Sequence, residues 1–432
     1  MFEESNKARN NFIHSQLPQY THFYTALCQV KLAAARANLS LGYLPLDIGH
    51  ALCEILVKMC EGVGREYFNL DPLQGGAGTS TNMNINEIAC FLANRELKVL
   101  VDPLEHVNLH QSTNDVYPTA VKIAALYFLK EAENAANTLL QTLQTKEKEF
   151  NHIIKIGRTQ LQRAVPITLG QEFGAYSEAI ARDRWRLFKC QERIRVINLG
   201  GTAIGTGVNA PRKYIYRVNE ELRLLTGLPL SRAENLVDAT QNHDQLAEVF
   251  AMIKVMSLNL EKISNDLRLL ASFGEIDLPK VALGSTIMPG KVNPVILEMV
   301  IQVARKIQGN EAVASSCIAH GELELNAFLP LISHLLFESL DILTQAIDKF
   351  DHRCLKDLVA CPGKCRENLL TTPASCALLI PLIGYHKASE VADLMHSSNL
   401  NIVDAALQTK YVSSIQIDKI LHHEHIGALG HD

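Results

Sequence analysis

The sequence predicts an all-α protein, a long helical bundle followed by a small separate helical domain. Apolar residues recur at three- and four-residue steps over long stretches, strand-like alternation is scarce, and polar clusters stand beside the ends of the helical runs. Leu27, Val30, Ala34 and Ala37, then Ile48, Leu52, Ile55, Leu56 and Met59, give two helices broken by Pro45. A long helix is expected from Pro118 to about Phe150, behind the capping candidates Ser112, Thr113 and Asn114, and another ends near Val196. Between Ala233 and Phe273, Leu246, Val249, Phe250, Ile253, Met256, Leu260, Ile263, Leu267 and Leu270 fall on one face. Residues 295–312 and 323–349 continue in the same way. Five long helices between about 112 and 350 make a central bundle the natural architecture. Shorter helices, interrupted at Pro362, Pro373 and Pro381, follow it.

Composition narrows the function. The 432 residues can bury a large core, and 41 Lys and Arg against 46 Asp and Glu give a formal charge of −5 without a dense basic run. A nucleic-acid or membrane-surface partner is therefore not expected. No run is long and apolar enough to span a bilayer, and residues 1–11 lack the apolar core of a secretory signal, so a cytoplasmic location is expected. Ten cysteines occur without CxxC pairs. His352, Cys354, Cys361 and Cys365 match no zinc spacing, and free thiols are the better reading. His422, His423, His425 and His431 read as a solvated terminus.

Four polar segments have no packing explanation. The first, Gln74–Glu87, holds three glycines in four residues and then Thr79, Ser80, Thr81 and Asn82. The second is His106–Thr119, with Ser112, Thr113 and Asn114. The third spans 156–172 and contains Thr159 and Gln160. The fourth, Gly284–Glu298, presents Ser285, Thr286, Lys291, Asn293 and Glu298 at the mouth of a helix, where free N–H groups favour anions. It is not a phosphate loop, because five residues separate Gly284 from Gly290 and Val292 follows Lys291. Gly200–Gly207 likewise lacks the GxGxxG spacing and reads as a tight turn between helices. Hydroxyls, amides and one lysine suit a pocket for a small dicarboxylate.

The Gly284–Asn293 segment resembles the Gly-Ser-Ser-x-Met-Pro-x-Lys-x-Asn signature of the aspartase/fumarase superfamily. Gly76–Asn84, Gln111–Thr119, Gly157–Gln162 and Glu234–Asn242 resemble its other blocks, and the similarity runs from about Asn11 into the 420s. It implies three helical domains, 1–109, 110–362 and 363–432, in a homotetramer around a shared superhelical bundle, with each active site drawn from three subunits. It also implies reversible elimination of ammonia from L-aspartate through an enediolate. Carried over by position, Ser285 is the general base. Thr79, Ser112, Thr113 and Thr286 hold the β-carboxylate, while Thr159, Lys291 and Asn293 hold the α-carboxylate. Asn114 and Gln160 hold the amino group. Glu298 stands where fumarase-like members support a catalytic histidine, whose own place is taken by Gln160. No cofactor is required. Magnesium is implied only as an activator, and no ligand cluster in the sequence demands it.

Four departures from the pattern matter, the first being a short opening block, of which Lys7–Phe12 resembles the end. Thr286 replaces a serine, the connection Phe273–Gly284 is shortened, and Arg163 replaces an expected acid, for which a surface salt bridge is the favoured reading. The alternatives are a fumarase-type hydratase, a lyase for an N-substituted aspartate, or a catalytically silent tetrameric homologue. An amide at 160 favours the amine substrate, since it cannot act as an acid or base near neutral pH.

Overall fold

The computed structural model describes residues 2–15, 17–428 and 430, so His431 lies outside the described residues. The chain is all-α, with three two-stranded ribbons among the described residues. All five expected long helices are present, as Thr113–Glu149, Leu169–Ile194, Asp244–Ser272, Val295–Ala319 and Leu329–Phe350. Among the described residues no helix is long and apolar enough to cross a membrane, and the ten cysteines are free.

The chain forms two compact units, each assembled from three stretches. The first comprises 1–134, 185–257 and 305–344; the second comprises 135–184, 258–304 and 345–432. In the first unit the Thr21–Ser40 helix is the centre. It packs on Leu46–Cys60 and Arg212–Thr226, and Thr79–Glu96 lies against Leu46–Cys60. Its run of alanines permits close approach, and Leu27, Val30, Leu32 and Ala33 to Ala35 are all buried. Lys31 interrupts that run and is fully buried too.

The Thr113–Glu149 helix starts earlier than the sequence suggests, and Pro118 lies inside it. A proline there leaves the carbonyl four residues back without its helical donor. Asn198 supplies one, since its Nδ2 donates to the Asn114 carbonyl at 2.9 Å. The expected start at Pro118 is therefore corrected by a side chain remote in sequence.

The second unit holds the feature that periodicity missed. Residues 154–168, read as a polar knot before a helix, form an antiparallel hairpin of β1 (Ile154–Thr159) and β2 (Gln162–Thr168). Ile154 and Ile156 point from it into a core shared with Leu369, Leu379, Val391, Ile402 and Ile417. The small helices after Cys361 supply that core. Pro362 and Pro373 sit in their first turns, where a proline costs no hydrogen bond, and a Ser413/Gln416 capping box starts a later one.

A buried ionic cluster joins these parts. The Glu275 carboxylate, fully buried, accepts from Arg158 Nη1 and Nη2 at 3.0 and 2.7 Å and from Asn368 Nδ2 at 3.0 Å. Lys155 Nζ lies 3.2 Å from it and 2.7 Å from Glu172. Burial alone would raise the Glu275 carboxyl, but the hydrogen bonds from Arg158 and Asn368 and the Lys155 charge hold it below its ordinary value. Removing one partner of such a cluster strands the others in a dry interior. Glu275→Gln should lower the unfolding free energy at neutral pH by about 3–5 kcal/mol, measured by denaturant titration. A depressed carboxyl contributes stability above its unfolded value near 4.5, so the gap between variant and wild type should close as pH falls below that value.

Candidate functional site

In the first unit, Thr79 opens the Thr79–Glu96 helix directly after a turn in which Gly76, Ala77 and Gly78 all have positive φ. Gly78 is required twice over: its φ is +91°, and a Cβ there would fall 2.3 Å from the Tyr117 ring. The Thr79 hydroxyl donates to the Gly76 carbonyl at 2.8 Å. Ser112, Thr113 and Asn114 stand at the start of the Thr113–Glu149 helix, and Ser112 Oγ accepts the Asn114 N–H at 3.3 Å.

Buried polar groups fix both segments. Asn108 Oδ1 accepts from Lys31 Nζ at 3.0 Å, Asn82 Nδ2 at 3.1 Å and Asn86 Nδ2 at 3.2 Å, so the 106–114 loop is tied to the helix that Thr79 begins. Lys31 also donates to Gln111 Oε1 at 3.0 Å. Burial pulls its ammonium down to about 7, against the attraction of Asp115. The Asp115 carboxylate accepts the N–H groups of Ser112, Gly200 and Thr202 at 2.9–3.1 Å. Burial nevertheless pushes it up to about 6, the backbone donors and Lys31 opposing that rise. The Gly200–Gly207 segment is the tight turn expected, and through Asp115 it braces Ser112.

In the second unit, Thr159 and Gln162 close the hairpin around a two-residue turn. Gln160 and Leu161, its central residues, have φ of +53° and +63°. This is the backbone of a type I′ turn, which favours Asn-Gly. An L-residue in this region costs about 1–2 kcal/mol, and Leu161, 65% exposed, recovers little by burial. Strain of this kind persists only where the surrounding structure over-determines the turn.

Ser285, Thr286, Lys291 and Asn293 share an exposed loop that closes on itself. A Cβ on Gly284 would fall 1.9 Å from the Lys291 carbonyl oxygen, so only glycine allows the two limbs to meet. The Asn293 amide donates to the Gly284 carbonyl and locks the neck. Ser285 Oγ accepts the N–H groups of Ile287 and Met288 at 3.2 and 3.0 Å. Among the described residues, the Gln160 amide, the Thr286 hydroxyl and the Lys291 ammonium have no hydrogen-bond partner in the chain. Glu298, in the first turn of the Val295–Ala319 helix, lies 3.9 Å from Arg268. Asn293 also lines a cleft of about 870 Å³ with Asn265, Arg268 and Asp277.

The predicted residues thus fall into two sets. Thr79, Ser112, Thr113 and Asn114 are linked in the first unit, and Thr159, Gln160, Ser285, Thr286, Lys291, Asn293 and Glu298 lie in the second. Sequence reasoning missed the groups that hold them: Lys31, Asn108, Asp115, Arg158 and Glu275. Asn108, Asp115 and Arg158 lie within polar segments already singled out, and Lys31 stands as a lone lysine in an apolar helical run. Among the described residues no group of three or more His, Cys, Asp or Glu could hold a metal ion, so no chemical step is assigned to one.

A family described as lyase matches residues 3–309, and one described as fumarase C C-terminus matches 376–426. The aspartate ammonia-lyase of Helicobacter pylori (strain ATCC 700392 / 26695) is 38% identical, over 97% of this chain and 92% of its own. That of Bacillus subtilis (strain 168) is also 38% identical, over 96% and 90%. Among solved structures, the cobalt-bound fumarate lyase:delta crystallin of Brucella melitensis superposes with a TM-score of 0.93 at 37% identity, covering 98% of this chain and 94% of its own.

Leu161→Gly relieves the strained turn without removing a functional group. It should raise the unfolding free energy by about 0.5–1 kcal/mol, read as a higher denaturant midpoint. Asp115→Asn replaces a carboxylate that accepts three N–H groups by an amide. It should lower kcat/KM by about 10-fold or more, measured on the purified variant.

Proposed function

This chain belongs to the aspartase/fumarase superfamily of lyases, and on that premise we propose that it is an ammonia-lyase converting L-aspartate reversibly to fumarate and ammonia. The observation that carries the choice of substrate is Gln160, an amide held without a partner at the apex of a strained turn. Its carbonyl accepts a hydrogen bond from an ammonium, and it offers no titratable group for adding water to fumarate.

In this reading Ser285 removes a proton from the β-carbon. The electron pair of that C–H bond moves into the β-carboxylate, giving an enediolate that Thr79, Ser112, Thr113 and Thr286 stabilise by hydrogen bonds. The pair then returns to form the Cα–Cβ double bond as the C–N bond breaks, and ammonia leaves beside Asn114 and Gln160. Thr159, Lys291 and Asn293 hold the α-carboxylate throughout. A serine is a poor base at its ordinary pKa. The two N–H groups directed at Ser285 Oγ favour its anionic form, and exclusion of water would strengthen them. Glu298, paired with Arg268, is left as a supporting charge.

The three-domain division, a homotetramer with sites drawn from three subunits, and a cytoplasmic location belong to the same proposal. Trp185, Phe188 and Val313, exposed on long helices, support association with further copies of the chain.

The test is fumarate formation, followed by ultraviolet absorbance, with L-aspartate and separately with L-malate. Aspartate should be turned over and malate not, and Ser285→Ala should lower kcat by about 10³-fold or more. Turnover of malate alone would establish a hydratase instead. Inactivity toward both by a folded protein would redirect the reading to N-substituted aspartates or a silent homologue.

A further inference from the structure

Arg163 does not form the surface salt bridge expected of it. Its cross-strand partner in the hairpin is another arginine, Arg158. Residues directly opposite in an antiparallel pair carry side chains about 4.5–5.5 Å apart at Cβ, and like charges so placed repel. Arg158 is neutralised, for Glu275 takes two of its donors and the Phe273 ring lies 4.0 Å beneath its guanidinium. Arg163 has no acidic partner among the described residues. The cluster therefore sets Lys155, Arg158 and Arg163 against only Glu172 and Glu275, one positive charge in excess.

That excess charge faces a cavity. Arg158, Gln162, Arg163, Phe273, Asn368 and Thr372 line a cleft of about 540 Å³ in the second unit, and no carboxylate is among its lining residues. Guanidinium, amide and hydroxyl groups present donors, while Phe273 gives an apolar floor. A metabolite-sized ligand fits such a volume, and the missing component is an anion.

We propose that this cleft binds a small oxyanion, carboxylate or phosphate, held by Arg163 with Arg158 behind it, at a site separate from the Ser285 and Lys291 groups. The cleft adjoins the Gln160–Leu161 turn, which β2 leaves at Gln162, so an anion drawing Arg163 toward Arg158 tightens the strands that set that turn. The occupant is thereby placed to modulate the turn that carries Gln160.

Calorimetric titration at low ionic strength tests this with two probes, succinate and inorganic phosphate. The proteins are wild type, Lys291→Met, Arg163→Gln and Arg163→Lys, with Lys291→Met removing the proposed catalytic cation. At least one probe should saturate a site in Lys291→Met as in wild type. That binding should weaken by about tenfold or more in Arg163→Gln, the loss of one charge-assisted hydrogen bond, and be largely restored in Arg163→Lys. Whichever probe shows this behaviour distinguishes carboxylate from phosphate. Without ligand, Arg163→Gln should melt at or above wild type, because repulsion with Arg158 is relieved. Unchanged binding in Arg163→Gln, or no saturable binding of either probe to Lys291→Met, would overturn the proposal. So would a lower ligand-free melting temperature in Arg163→Gln, since Arg163 would then serve a structural ion pair.

Discussion

The buried carboxylate of Glu275 is the interaction on which the second unit depends. Its side chain binds Arg158 and Lys155 of the hairpin and Asn368 of the small helical module. Its own carbonyl accepts the Cys361 N–H at 2.9 Å. The next two residues, Ile276 and Asp277, pair with Ala360 and Val359 and lead toward the Ser285 loop. One charge thus fixes the strand before Gln160, the start of the terminal helices and the stem of the loop. A buried ion pair is a poor source of net stability, because desolvation offsets most of the attraction. Its value here is geometric. Two cations and an amide converge on one carboxylate in fixed directions, and a hydrophobic replacement would pack without specifying any of them.

The first unit solves the same problem with the charge reversed. Lys31 is a buried cation that donates to amide oxygens, and Asn108 Oδ1 collects donors from three side chains. Short polar segments such as 76–79 and 106–114 cannot bury enough apolar surface to order themselves. Neutral amides around one ammonium order them without placing a second full charge beside a dicarboxylate pocket. Asp115 is the exception, and its two oxygens are committed to three backbone N–H groups that face the protein interior.

The parts of this molecule legible in sequence are those set by periodicity. Leu246, Val249, Phe250, Ile253 and Met256 repeat on one helical face and are all buried, so the long helices follow from the pattern. The hairpin was not legible, although Ile154 and Ile156 alternate, because its turn uses Gln-Leu where a type I′ turn calls for Asn-Gly. The polar segments could be located, since Gly78 and Gly284 permit backbone approaches closed to other residues. Their supports could not. Lys31 and Asn108 are 77 residues apart, and Arg158 and Glu275 are 117 apart. Nothing local in the chain marks such pairs before the fold brings them together.

The way each group is held follows the demand of the proposed chemistry. Groups that bind carboxylates must be in place before reaction, because electrostatic stabilisation works only when the donors need not reorganise. Ser112 and Asn114 are accordingly held by Asp115 and the Ala203 carbonyl, the helix that Thr79 begins is tied to Asn108, and Thr159 and Gln160 close a hairpin anchored on Glu275. The base has the opposite requirement, since substrate must enter before Ser285 meets the β-carbon. Its loop is secured by contacts within itself, the Gly284 neck and the two N–H groups on Ser285 Oγ, which keep its shape without fixing its position. Ile287, 84% exposed, and Met288 beside it leave apolar surface uncovered at its tip. Covering a side chain of that size contributes about 1.5–3 kcal/mol, so in the proposed mechanism closing the loop over bound substrate would carry its own driving force, and the same movement would remove the water that otherwise weakens Ser285 as a base.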